Sequence, residues 1–113
     1  MSIEKRIELE KTIIQKLIED ALALNYKVSV FDSEEWCLKR SSSFVDIMEA
    51  VMSSDEDLLR FRSAQGAYMG AVQLVYGNSG YDVISDYTES LDALIAGAEA
   101  LANKLETEVY VRK

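Results

Sequence analysis

The chain has 113 residues and a formal charge of −8, from 20 acidic and 12 basic side chains, with no histidine, no proline and one cysteine. That length fits one domain, and a hydrophobic content of 49% is too high for a disordered acidic tail, so a folded, soluble globule is expected. Without histidine there is no Ser-His-Asp or Cys-His pairing and no His-based metal site; Cys37 alone forms no internal disulfide, and no run approaches the roughly 20 apolar residues that cross a bilayer.

Residues 2–25 read as an amphipathic helix. Ser2 is the expected N-cap, and Ile3, Ile7, Ile14, Leu17, Ile18 and Ala21 recur at helical spacing on one face. Leu9 and Ile13 fall beside that stripe and either widen the buried face or await a partner. Lys27–Phe31 and Trp36–Arg40 are β-prone runs around Asp32-Ser33-Glu34-Glu35, which predicts a hairpin with Val28 and Val30 alternating against Ser29. Ser41-Ser42-Ser43 then supplies caps for a helix of about ten residues that buries Phe44, Ile47, Met48, Val51 and Met52.

After Asp55-Glu56-Asp57 the pattern becomes three strands, Leu58–Arg62, Tyr68–Tyr76 and Tyr81–Tyr87. The turns between them are Ala64-Gln65-Gly66 and Gly77-Asn78-Ser79-Gly80. A last helix over Glu89–Leu105, with Thr88 as N-cap, carries an apolar stripe through Leu91, Leu94, Ile95, Ala98, Leu101, Ala102 and Leu105. The tail Thr107–Lys113 is expected to fray or to add an edge strand. The order α-β-β-α-β-β-β-α predicts a single α+β domain. Its antiparallel sheet has about five strands, a hairpin plus a three-strand meander, with helices packed on it.

Few residues in this pattern point to chemistry. Counted from Asp55, an EF-hand needs glycine at the sixth position and glutamate at the twelfth; the chain has Arg60 and Gly66, so the acidic run reads as a solvated turn. Asp82 and Asp86, four apart in a strand, would stand about 13 Å apart, too far for a glycosidase carboxylate pair. Cys37 lacks a base and reads as a packing residue. Gly77-Asn78-Ser79-Gly80 lacks the lysine and helix of a phosphate loop. Tyr68, Tyr76, Tyr81 and Tyr87 suggest base stacking, but only Arg60 and Arg62 are basic within residues 58–87, so ordinary sheet packing is the expectation. No catalytic residue, metal or cofactor is expected, and a carboxylate enzyme ranks third among the readings.

The distribution of charge says more. Residues 1–27 hold five acids and five bases, whereas residues 28–59 hold eight acids against Lys39 and Arg40. Glu89, Asp92, Glu99 and Glu106 form an acidic stripe on the last helix. Such a surface either keeps the protein in solution or docks on a basic protein surface that normally holds nucleic acid, since strand carboxylates about 6.7 Å apart imitate a phosphate track. The contact candidates are Asp32, Glu34 and Glu35 on the first hairpin, Asp55, Glu56 and Asp57 at the second turn, and Asp82 and Asp86 with Ile84 between them as an apolar anchor. Direct binding to nucleic acid or membrane is not expected, and the compartment is expected to be the cytoplasm. The alternative is a structural or self-associating module, dimeric through Leu9 and Ile13 or through the small-residue strip Ala93, Gly97 and Ala100.

Three stretches add a resemblance: VYGNSGYDVISDYT (Val75–Thr88), EEWCLKRS (Glu34–Ser41) and SSDEDLLRFRSAQG (Ser53–Gly66). Across roughly residues 27–106 the chain resembles small acidic accessory proteins carried by bacteriophages and prophages. The resemblance carries no functional residues with it. As a class, such proteins include inhibitors of host defence, anti-CRISPR and anti-restriction proteins among them, and some mimic DNA. It therefore implies a non-enzymatic inhibitor in a bacterial host cell that occludes a basic, nucleic-acid-handling host protein.

Overall fold

The computed structural model describes residues 3–32, 34–52, 56–77 and 83–111, with side chains from 4 to 106. Ser2, Asp55, Tyr81, Asp82 and most of the Gly77–Gly80 turn lie outside the described residues. The elements are α1 (Ile3–Ala23), β1 (Lys27–Phe31), β2 (Trp36–Ser41), α2 (Phe44–Ala50), β3 (Glu56–Arg62), β4 (Tyr68–Val75), β5 (Ile84–Tyr87) and α3 (Asp92–Val111), the last preceded by a 3-10 turn at Glu89–Leu91. This is the α+β order expected from the sequence. All five strands form one antiparallel sheet in the order β2-β1-β3-β4-β5.

Alternation along the strands decides which face is covered. Val28 and Val30, Leu59 and Phe61, and Val72 and Leu74 are buried on one side, against Ile14, Leu17 and Ile18 of α1, Ile47 of α2, and Leu94, Ile95 and Ala98 of α3. Each fully buried aliphatic or aromatic side chain contributes about 1.5–3 kcal/mol, so this layer accounts for most of the driving force. Ile13 belongs to this core and Leu9 is buried as well, so both widen the buried face of α1 and neither is free to form a dimer.

The chain turns between layers by specific devices. Asn25 adopts a left-handed conformation (φ 63°) just past α1, and the N–H of Tyr26 reaches back to the carbonyl of Ala21. Ser43 caps α2, its hydroxyl accepting from the N–H of Asp46. Thr88 does not cap a helix with its side chain. Its Oγ1 instead accepts from the Ala71 N–H at 3.0 Å and so ties β5 to β4. Gly97 packs against α1, where a Cβ would meet Asp20 Oδ2 at 2.5 Å; the small-residue position is filled within the chain, while Ala93 and Ala100 are exposed. Within the tail, residues 107–111 are neither frayed nor a strand. With no glycine or proline after Leu105, α3 simply continues to Val111.

Candidate functional site

The helices cover one face of the sheet, and no described element packs on the other. Register places the residues of this open face in rows across the strands. One row is Trp36, Phe31, Leu58, Gln73 and Asp86; the next contains Ser29, Arg60 and Ala71; the one after contains Lys27, Arg62 and Tyr68. Rows are about 6.7 Å apart and neighbouring strands about 4.8 Å apart.

The expected acidic contacts partly converge here. Asp32, Glu34 and Glu35 form the tip of the β1–β2 hairpin, with Asp32 Oδ1 accepting from the N–H groups of Glu34 (3.0 Å) and Glu35 (2.9 Å). Those two bonds hold the Asp32 carboxyl below its usual pKa. Because β3 runs antiparallel to β1, Glu56 lies at the same end of the sheet, beside the Phe31–Leu58 pair. Asp86 stands on the open face across β4 from Leu58. Acids separated by more than fifty positions in the chain thus surround an apolar floor of Phe31 and Leu58.

Two of the expected contacts are corrected. Asp57 is 1% exposed and faces the helices, not a partner. Its Oδ2 accepts from the Met52 N–H at 2.8 Å and from the Tyr76 hydroxyl, tying the end of α2 to β3 and β4. Burial raises its carboxyl pKa, and burial beside Asp57 raises that of the Tyr76 phenol. Ile84 is not on the face of Asp86. The pairs Leu74–Ile84 and Gln73–Asp86 leave Ser85 as an extra residue, a bulge that turns Ile84 toward the core. Cys37 is likewise exposed rather than packed, and its thiol pKa is raised by local desolvation and by Asp32.

The other half of the open face is basic, and the sequence reading did not find it. Ser29, Trp36, Lys39, Arg40, Arg60 and Arg62 line a recess of about 220 Å³, and Lys27 stands beside Arg62 in register. The Arg60 guanidinium lies 4.5 Å from the centroid of the Trp36 ring, which packs on Phe31 at 5.1 Å. Arg62 donates to the Gly66 carbonyl at 3.0 Å and sits 6.0 Å from the ring of Tyr68. Arg40 is held at φ 48°, a left-handed conformation, while its N–H donates to Ser29 Oγ at 2.8 Å. Among the described residues none of these five cations is in an ion pair. A signal existed in the parity of the strands: Lys27 with Ser29, and Arg60 with Arg62, alternate out of phase with the buried valine, leucine and phenylalanine.

Among the described residues no group of three or more Cys, Asp or Glu side chains is arranged to hold a metal ion, and no helix is long and apolar enough to cross a membrane. No family model matches this chain, and neither a curated protein nor a solved structure is similar to it.

Proposed function

We propose that the protein is a non-enzymatic interaction module that docks on a basic, nucleic-acid-handling protein and inhibits it by occlusion, as some small acidic phage accessory proteins do. The observation that carries this reading is the convergence of Asp32, Glu34, Glu35, Glu56 and Asp86 around Phe31 and Leu58 at one end of an uncovered sheet face. An apolar centre within a charged rim is how protein interfaces concentrate their binding energy. The rim carboxylates would set the association rate and its salt dependence, and the two apolar side chains the lifetime of the complex.

Affinity capture from a bacterial lysate, with stepwise salt elution and competition by DNA or RNA, tests this reading. A nucleic-acid-binding protein released by modest salt and by competing nucleic acid is the expected result. Capture that ignores salt, or a captured protein that keeps its full nucleic-acid binding in the complex, would overturn the occlusion reading.

A further inference from the structure

We propose that the basic half of the open sheet face binds a short segment of single-stranded nucleic acid, a site that the chain's overall charge conceals. The proposal goes beyond the protein-docking reading above and does not depend on it.

The recess combines the two features that single-strand sites require, namely cations to follow a phosphate backbone and aromatic rings for bases to stack on. Arg60 and Arg62 alternate along β3, so their guanidinium groups originate about 6.7 Å apart on one face. Lys27 on β1 and Lys39 and Arg40 on β2 bring three more charges into or beside the same recess. Trp36 and Tyr68 stand at opposite ends of this cluster, each with an arginine near its ring, and Tyr68 is 54% exposed. Among the described residues, five cations without ion pairs gather on one face of a chain that has 20 acids, which fits a surface kept free for an anionic ligand.

The net charge of −8 does not decide against this. Salt screens interactions over about 8 Å at physiological ionic strength. The acidic stripe Glu89, Asp92, Glu99 and Glu106 adjoins β5, where Asp92 bonds Tyr87, whereas the basic recess lies on β2, β1 and β3, at least two strand spacings or about 9.6 Å away, so a strand in the recess feels it only weakly. Glu56 and Asp86 on the sheet itself are near enough to matter. They confine the strand to the basic half, a footprint of about two or three nucleotides. That limit also argues against a duplex, whose rigid backbone would run past the basic rows onto the acidic ones.

Trp36 is the only tryptophan in the chain, so its fluorescence reports directly on the recess. Titration with an eight-nucleotide oligothymidylate or oligouridylate should quench it, and binding of either strand supports the proposal. Log affinity should fall with log salt at a slope of about −1.4 to −2.1, the value for two or three contacted phosphates on a single strand. The Arg60→Ala/Arg62→Ala variant should lose at least tenfold in affinity and flatten that slope by about 1.4. If that variant does not fold, Lys27→Gln/Lys39→Gln should show the same trend, with folding checked by circular dichroism. No quenching at low salt, equal binding of a duplex of the same sequence, equal quenching by polyglutamate, or folded variants that bind as wild type would each overturn it.

Discussion

Two residues put their cost on display, Asp57 and Arg40. Asp57 is a carboxylate taken out of water on the buried side of β3, and burial outweighs the two hydrogen bonds it accepts. Its folded pKa is therefore above the ordinary 3.8. The stability it contributes is complete below that value and declines as pH rises through the folded pKa. Asp57→Asn removes the titration. The stability of this variant relative to wild type, from urea unfolding, should improve as pH rises from about 3.8 to the raised folded pKa and level off above it; a difference independent of pH would contradict the assignment. Arg40 sits in the left-handed region, which costs a side-chain-bearing residue about 1 kcal/mol. Arg40→Gly should raise stability by about 0.5–1 kcal/mol while weakening oligonucleotide binding. Opposite signs in the two measurements would mark a strained residue retained for its charge.

At the scale of elements, most of the fold was legible because helices and strands carry their own periodicity. The stripes of α1 and α3 and the alternation of β1 and β4 are local facts, and packing followed them. What was not legible depends on a second strand. The bulge at Ser85 exists only relative to β4, so nothing within Val83–Tyr87 showed that Ile84 and Asp86 would part company. Asp57 was within reach: β3 begins two residues earlier than expected, and extending the parity of Leu59 and Phe61 backward turns Asp57 inward. Gly70 marks another such dependence. It holds φ 145° on β4, and a Cβ there would lie 2.8 Å from Leu91 Cγ, a buried side chain at the entry to α3. Gly70→Ala should destabilise the protein by about 2 kcal/mol or more, measured by denaturant unfolding, because neither the backbone nor the packed leucine can yield cheaply.

At the scale of the whole molecule, charge is sorted by surface and not by segment. The outer side of α3 is acidic, the hairpin end of the open face is acidic around Phe31 and Leu58, and the remaining half of that face gathers Lys27, Lys39, Arg40, Arg60 and Arg62. A segment count cannot see this. Those five bases come from three strands, and only the order β2-β1-β3 makes them neighbours. Location rather than net charge is then the central claim, and two variants of equal charge change test it in one capture experiment. Glu35→Lys/Asp86→Lys alters the acidic half of the open face, and Glu99→Lys/Glu106→Lys alters the stripe on α3. The account predicts that the first loses the captured nucleic-acid-handling protein and the second retains it; retention by the first with loss by the second would contradict it.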